Sequence, residues 1–182
     1  MELKETKELL TKFKNYVIQQ SRSNLSKGNK NDSSKLYNSI KGEVITENNY
    51  SIVGFTMSEY GMYQDQGVKG ADPSKVSKNA KIKGQQAPNS KFHFRNLKPP
   101  SDQLAAWAKR KRIRLRNEKG EFKEGNYKTI GIIIARNIWA RGIKPSLFFT
   151  KPFEAGYKKY IDTDLIKAFG QDVETMVDYE LK

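Results

Sequence analysis

This chain contains no cysteine, a single histidine and no long apolar run. Without cysteine the chain can form no disulfide and no thiolate metal site. The absence of disulfides is common among proteins of a reducing compartment. The one histidine, His93, leaves zinc centres and Ser–His–Asp triads almost no candidates, and we expect it to be an exposed or packing residue. Its apolar runs, such as Ile132–Ala135, are far shorter than the roughly 18 residues that cross a bilayer. We therefore expect no metal, no cofactor and no membrane span.

The N-terminus also lacks a readable secretory signal. Met1–Glu5 has no basic region followed by an apolar stretch and a small-residue cleavage site, so we expect a protein assembled in a cytoplasm. No glycine-rich phosphate loop precedes Lys-Ser/Thr, and no Gly-x-Ser-x-Gly elbow occurs. These absences favour a protein that is not an enzyme and has no catalytic residues.

The chain is strongly basic. Its 34 Lys and Arg against 20 Asp and Glu give a formal net charge of +14. Such an excess attracts nucleic acid, an acidic partner surface or an acidic neighbouring subunit, because long-range attraction depends on the sign of the charge. Solubilising lysines are the alternative explanation. The 182 residues fit one domain, so we predict a single domain over residues 1–182 with a polar loop and basic insertion at about 68–126.

Hydrophobic spacing indicates helices at both ends of the chain. Apolar residues three and four positions apart predict an amphipathic helix over Lys4–Leu25 and a closing one over Ile161–Val177. The polar stretch Ser26–Ser34 is predicted to be a loop, and a short helical turn follows it. The expected cap of that turn is Asp32, Ser33 or Ser34.

The next stretch has the pattern of a β-hairpin. Apolar residues alternate through Gly42–Phe55, and Glu47–Asn49 in the middle supplies turn-forming asparagines. A short helix is then predicted over Ser58–Gly67. The side chains expected to pack on the sheet are Tyr60, Met62 and Tyr63.

The middle of the chain has little apolar periodicity. Val68–Pro100 is rich in Gly, Lys, Ser and Asn, and we predict a long loop or insertion. Loops of this length inside a compact domain are usually functional or disordered. We therefore expect either an interaction surface here or a segment that a neighbouring molecule orders.

A central helix is predicted to run into the most basic part of the chain. Ser101 is its expected cap, and its end leads into Lys109–Arg116, where Ile113 and Leu115 fall on one face of an extended segment and arginines on the other. This segment either binds DNA phosphates or an acidic ring surface, or forms a solvated edge that discourages aggregation. The predicted interaction residues are Lys109, Arg110, Lys111, Arg112, Arg114 and Arg116.

The last third of the chain returns to apolar patterns. Tyr127–Arg141 is predicted to be a helix ended by Gly142, and Leu147–Phe149 a buried strand or edge before a helix capped by Thr150. Strands bracketed by helices predict an α+β fold, with an antiparallel sheet and hairpin flanked by N-terminal, central and C-terminal amphipathic helices. The predicted inner stripe of the Tyr127 helix is Ile130, Ile133, Ile134 and Ile138.

Several of these segments, in order, resemble one protein family. Leu36–Ile40 is similar to a Leu-x-x-Ser-Ile turn, and Tyr60–Gly67 to a Tyr-Ala-x-Tyr-Val-Glu-x-Gly stretch, with Gln64 in place of its apolar residue. Three later segments continue the series: a Leu-x-x-Trp-x-x-Arg-Lys helix, an Ile-Ala-Arg-x-Ile-x-x-x-Gly helix and a Pro-x-x-Phe-Phe turn. They are Leu104–Lys111, Ile134–Gly142 and Pro145–Phe149.

The family that shares these segments comprises the neck and tail-completion proteins of tailed bacteriophages, which act as head–tail joining or minor tail components. The resemblance implies a structural virion protein that forms a homo-oligomeric ring at the neck, next to portal-side or tail-tube proteins, with possible non-specific DNA contact. A closed ring requires two different matching faces on each subunit, and Val68–Arg116 is a candidate for one. The structural residues implied by the resemblance are Tyr60, Tyr63, Gly67, Trp107, Gly142, Phe148 and Phe149.

A basic nucleic-acid-binding protein or a metal-dependent nuclease is the alternative function. Glu121–Lys123 matches the Glu-x-Lys half of a nuclease site, in which carboxylates hold Mg²⁺ and the lysine positions the attacking water. Glu2–Lys4 has the same pattern, so chance explains it equally well.

Overall fold

The computed structural model describes residues 3–28, 34–47, 50–76, 78, 80–117, 119–123 and 125–180. The chain forms two compact units: unit 1 comprises Met1–Asp65 and Leu147–Lys182, and unit 2 is the intervening Gln66–Ser146. Helices combined with antiparallel strand pairs confirm the predicted α+β class. The single domain over 1–182 stays a prediction, because a compact unit is not by itself an independently folding domain.

The elements follow one another in this order. The helices are α1 (Lys4–Lys27), α2 (Lys35–Ser39), α3 (Tyr60–Gln66), α4 (Ser101–Arg110), α5 (Tyr127–Arg141), α6 (Thr150–Gly156) and α7 (Asp162–Glu180). The strands are β1 (Lys41–Glu47), β2 (Tyr50–Thr56), β3 (Val68–Lys69), β4 (Leu115–Arg116), β5 (Phe122–Lys123) and β6 (Gly142–Ile143). A short 3₁₀ turn covers Pro73–Lys75, and one π-helical stretch, Tyr157–Ile161, joins α6 to α7.

The predicted N-terminal helix and hairpin are both confirmed. α1 buries one side of its surface, and β1 pairs with β2 in antiparallel register from Lys41↔Thr56 to Glu47↔Tyr50. Along β1 exposed and half-buried residues alternate, as period-two patterning requires. The expected turn residues Asn48 and Asn49 lie outside the described residues, as do the expected caps Asp32 and Ser33. Ser34 occupies the position before α2 in a left-handed conformation and makes no side-chain cap bond, so of the three alternatives its side chain is not the cap.

Unit 1 is held together by large apolar side chains. Leu25, Leu36, Ile40 and Phe148 form a buried cluster, with Phe148 only 1% exposed. Beside it, a group of phenylalanine rings meets mostly edge to face, with centroids 5.5 to 6.0 Å apart, which adds to the stabilisation from burial itself. The rings in this group are Phe13, Phe55, Phe149 and Phe153.

A buried carboxylate starts α6. Asp65, 4% exposed, accepts hydrogen bonds from the backbone N–H groups of Phe149 (2.8 Å) and Thr150 (3.2 Å), and the Thr150 hydroxyl donates to its other oxygen. It therefore satisfies donors that a helix start leaves without partners. The prediction that Thr150 caps this helix is wrong, because the cap comes from a residue far away in the sequence.

A second carboxylate does the same for α1. Asp172, on α7, accepts hydrogen bonds from the backbone N–H groups of Glu5 and Thr6, each 2.9 Å long. Burial alone raises the pKa of Asp172, but the hydrogen bonds from Thr6 and Glu5 outweigh it and hold its pKa below the ordinary value. The two ends of the chain in unit 1 are thereby joined by a charge-assisted contact.

Two predictions about unit 1 packing are wrong. Leu147–Phe149 is not a strand: Leu147 has a left-handed conformation, and its N–H donates to the Asp65 carbonyl at 3.0 Å, so the segment turns sharply before α6. On α3, Tyr60 and Met62 are 54% and 44% exposed rather than packed inward. The buried residues of α3 are Gly61, Gln64 and Asp65, and a Cβ on Gly61 would lie only 2.9 Å from a methyl carbon of Leu36, so this side of the helix lies against the core.

The closing helix is confirmed, but its exposed side differs from the prediction. α7 buries Ala168 and Asp172, whereas Phe169 is 51% exposed and Val173 38% exposed. Helical spacing indicates which residues share a side of α7 but not which side meets the core, and here the core side carries Ala168 and Asp172. The side chains of Met176 and Val177 lie outside the described residues.

Unit 2 is built around the close packing of α4 and α5. A Cβ atom on Gly131 would lie 2.3 Å from the Ser101 carbonyl oxygen, so the two backbones touch where no side chain intervenes. On α5, Ile133 is 38% exposed, and the predicted stripe of isoleucines is therefore wrong at that position. The buried residues of α5 are Ile130, Gly131, Ala135 and Ala140, because small residues allow the short interhelical distance.

The predicted long loop is ordered by hydrogen bonds to the end of α5. The N–H groups of Ala71 and Gln86 donate to the Trp139 and Arg141 carbonyls at 2.9 and 2.6 Å. β3 pairs with β6, and Lys69 forms a bridge with His93, which is exposed as expected. The segment is thus a surface layer of unit 2, which extends beyond the predicted insertion to include α5.

Candidate interaction surfaces

The predicted basic segment begins in the last turn of α4. Lys109 and Arg110 occupy this turn, where cations interact favourably with the helix dipole, and Lys111 is the C-cap. Arg112 then adopts a left-handed conformation, with φ of +52°, which redirects the chain away from the helix axis. The segment is therefore a helix end followed by a bend, and not one straight row of charges.

Beyond the bend lies a short exposed hairpin, which we call the basic arm (residues 112–123). β4 and β5 pair antiparallel, with Leu115 opposite Lys123 and Arg116 opposite Phe122. The predicted turn between them is confirmed by a hydrogen bond from the Gly120 N–H to the Asn117 carbonyl, while Glu118 lies outside the described residues.

The basic arm places arginines around one exposed aromatic ring. The guanidinium carbons of Arg116 and Arg114 lie 4.3 and 5.5 Å from the centroid of Phe122, which is 61% exposed. Ile113 and Leu115 are half-buried, so the predicted alternation is confirmed. All six predicted interaction residues are exposed, and their binding role stays a prediction.

The aromatic residues implied by the family resemblance lie in different environments. Phe148 is in the core of unit 1, and Phe149 is half-buried beside it. Trp107 is half-buried on α4 in unit 2. On α3, Tyr63 is half-buried, and the Tyr60 hydroxyl donates to Gln64 Oε1 at 3.0 Å. These residues are therefore divided between the two units.

The two glycines of the resemblance meet in unit 2. Gly67 and Gly142 have φ values of +71° and +90°, a backbone conformation that residues with a side chain rarely adopt. A Cβ on Gly142 would lie 2.1 Å from the Val68 carbonyl oxygen, and one on Gly67 would lie 2.5 Å from that of Ile143. Both glycines are thus required for β3 and β6 to pair.

An open cleft of about 550 Å³ lies beside Trp139 in unit 2. Lys75, Lys98 and Arg136 line it, with no carboxylate among the lining residues. The ammonium groups of Lys75 and Lys98 each lie 5.6 Å from the centroid of the Trp139 ring. Lys75 also pairs with Asp72 at 3.4 Å, an exposed contact of small energetic value. The cleft, which we call the Trp139 cleft, is therefore cationic with an aromatic wall.

Unit 1 has two exposed apolar faces on different elements. The hairpin face has Ile45 opposite Ile52, 43% and 51% exposed, with Tyr50 nearby at 48%. The α7 face has three apolar residues that are three and four positions apart and so share one side of the helix. They are Ile166, Phe169 and Val173, at 81%, 51% and 38% exposed.

The nuclease half-motif lies on the basic arm. Glu121 is exposed, and its carboxylate accepts a hydrogen bond from the Asn117 side chain at 2.8 Å. Within the described ranges, no group of three His, Asp or Glu residues is placed to hold a metal ion. In the same part of the chain, no helix has both the length and the apolar character for a membrane span.

No family model, curated protein or solved structure matches this chain.

The Trp139 cleft was not identified from the sequence. Its cations are brought together by folding of a segment without periodicity, so their spacing in the chain carries no signal. A partial signal exists on α5, where Ile132, Arg136 and Trp139 lie four and three positions apart and so share one side of the helix. An aromatic and a cation on an exposed helix face are a recognisable sign of a binding surface.

Proposed function

We propose that this protein is a structural virion component of a tailed bacteriophage that assembles as a ring at the neck, where it completes the tail or joins it to the head. Its partners are further copies of itself and portal-side or tail-tube proteins. The proposal assigns it no catalytic activity and no cofactor. The ordered family-like segments support it, and the observation that carries it is the pair of exposed apolar faces on unit 1.

Rotational assembly explains why there are two such faces. In a ring, each subunit binds its neighbours through two different surfaces, whereas a two-fold dimer uses the same surface twice. The hairpin face and the α7 face lie on separate elements and expose large apolar side chains that a monomer gains nothing by leaving in water. We infer that the hairpin face of one subunit packs against the α7 face of the next.

The experiment is a mass measurement by light scattering on single-face variants. Ile52→Lys disables the hairpin face and Ile166→Lys the α7 face, because a buried unpaired charge opposes association. Leu97→Lys in unit 2, where Leu97 is 86% exposed, is the matched control. We expect the wild type to form a closed oligomer, alone or with neck partners, and each face variant to be monomeric.

Mixing the two face variants distinguishes a ring from a dimer. Each retains one intact face, so a mixture should give a heterodimer and nothing larger. Assembly of either face variant alone to the wild-type mass, or a wild type that stays monomeric with every neck partner, would show that the proposal is wrong.

A further inference from the structure

The Trp139 cleft has the components of a nucleotide site. Trp139 offers an aromatic ring, and Lys75, Lys98 and Arg136 bring positive charge to its rim. Aromatic rings that stack on bases, combined with cations that follow the phosphates, are the means by which proteins bind single strands without reading their sequence. This inference goes beyond ring assembly and does not depend on it, because the cleft belongs wholly to unit 2.

The indole is held in place before any ligand arrives. The Trp139 ring nitrogen donates to the Arg95 carbonyl oxygen at 2.6 Å, and the Trp139 carbonyl accepts from the Ala71 N–H at 2.9 Å. Both the ring and its backbone are therefore fixed by the segment that covers α5. A fixed ring loses little conformational entropy when a base stacks on it.

The lysines near the ring do not block stacking. A cation–π contact at an exposed site is weaker than the stacking of a base on an aromatic side chain. Lys75 and Lys98 carry their charges on flexible stems, so a base can take their place over the ring while the ammonium groups move to its phosphates.

We propose that the Trp139 cleft binds single-stranded nucleic acid, with one base stacked on Trp139 and the neighbouring phosphates held by Lys75, Lys98 and Arg136. A duplex is a poorer ligand, because its bases are already stacked on one another. An acidic peptide would satisfy the cations but leave the indole face without a partner. The combination of ring and charge is what selects an unpaired base.

Fluorescence of Trp139 reports the contact directly. The chain has two tryptophans, so Trp107→Phe leaves Trp139 as the only one. The full chain carrying this change is titrated with oligothymidylate of about 12 nucleotides, within the usual range of site sizes. The comparison ligands are a duplex of equal length, dextran sulfate, a poly-glutamate peptide and inorganic phosphate.

We expect oligothymidylate to quench Trp139 fluorescence and to bind more tightly than the duplex. Measured by anisotropy of labelled oligothymidylate, Trp139→Leu should weaken binding about tenfold, which corresponds to about 1.4 kcal/mol.

Because Trp139→Leu also removes packing, the double change Lys98→Gln with Arg136→Gln is the second variant. It should lower the slope of log affinity against log salt by about 0.7 for each phosphate that the protein no longer neutralises. Lys128→Gln, an exposed charge on α5 outside the cleft, should leave the fluorescence change and the base preference intact.

Several results would overturn the proposal. They are absence of binding, equal quenching by dextran sulfate or poly-glutamate at equal charge, tighter binding of the duplex, and unchanged affinity of both cleft variants in folded protein. Preservation of the far-ultraviolet circular dichroism spectrum separates loss of the site from loss of the fold.

Discussion

Unit 1 and unit 2 of this protein bury different kinds of side chain. The buried apolar residues of unit 1 are mostly leucine, isoleucine, valine and phenylalanine, whereas in unit 2 alanines outnumber Val68 and Ile130. Large side chains stabilise by removing apolar area from water, at about 25 cal/mol per Å². Small residues instead allow backbones to approach and form hydrogen bonds, as at Gly131 and around the end of α5. Larger side chains at buried positions should therefore lower the stability of unit 2 more than that of unit 1. In unit 1, removal of the buried carboxylates should show how much they contribute to joining its elements.

The largest effect should follow from filling the contact between α4 and α5. Gly131→Val places atoms where the Ser101 carbonyl already lies, and we expect a loss of about 3 kcal/mol from overpacking. Gly170→Ala on α7 is the control: no atom lies within 4 Å of its Cβ position, and alanine favours a helix by about 0.5–1 kcal/mol. Hydrogen exchange should show reduced protection in α4 and α5 only. Equal loss in α1 would mean that the two units do not differ in this way.

A smaller effect is expected from removing the cap of α6. Asp65→Ala leaves the Phe149 and Thr150 N–H groups without their acceptor, and we expect a loss of about 2–3 kcal/mol in urea unfolding. Asp65→Asn retains one acceptor oxygen and should cost less. Asp162→Ala, an exposed acidic residue in the first turn of α7, should change stability by well under about 1 kcal/mol. Equal effects of Asp65→Ala and Asp162→Ala would contradict the capping role.

The smallest effect concerns Asp172 and depends on pH. Its pKa is lowered in the folded state, so its contribution is complete above the unfolded value of about 3.9 and is lost as pH falls through the folded pKa. At pH 7 we expect Asp172→Asn to cost about 1–2 kcal/mol, because the amide keeps one acceptor oxygen and leaves the second backbone N–H without its acceptor. The difference from wild type in urea midpoint should shrink at pH 3. A constant difference at both pH values would show that the charge of Asp172 is not responsible.

The sequence predicts those elements in which local pattern and packing agree. α1, the β1–β2 hairpin and α5 have clear periodicity, and each forms where expected. Prediction fails where a residue distant in the sequence determines where an element begins. Nothing near Asp65 in the sequence indicates that its carboxylate caps the start of α6.

The candidate surfaces show the same limit. Exposure of the basic arm follows from its charge density, whereas the Trp139 cleft requires Lys75 and Lys98 to meet a helix that lies well after both in the chain. The prediction that Phe169 and Val173 face the core is wrong, because helical spacing alone does not indicate which side of a helix meets the core.

The π-helical stretch Tyr157–Ile161 holds one more residue than the same turn of an α-helix would. A one-residue deletion in this stretch would therefore give an ordinary α-helical turn and leave α7 facing as it does, with Asp172 still at the start of α1. The same deletion in the first turn of α7 would instead rotate the residues beyond it by about 100° about the helix axis. The chain therefore tolerates a change of length at this one turn that the regular helix after it would not.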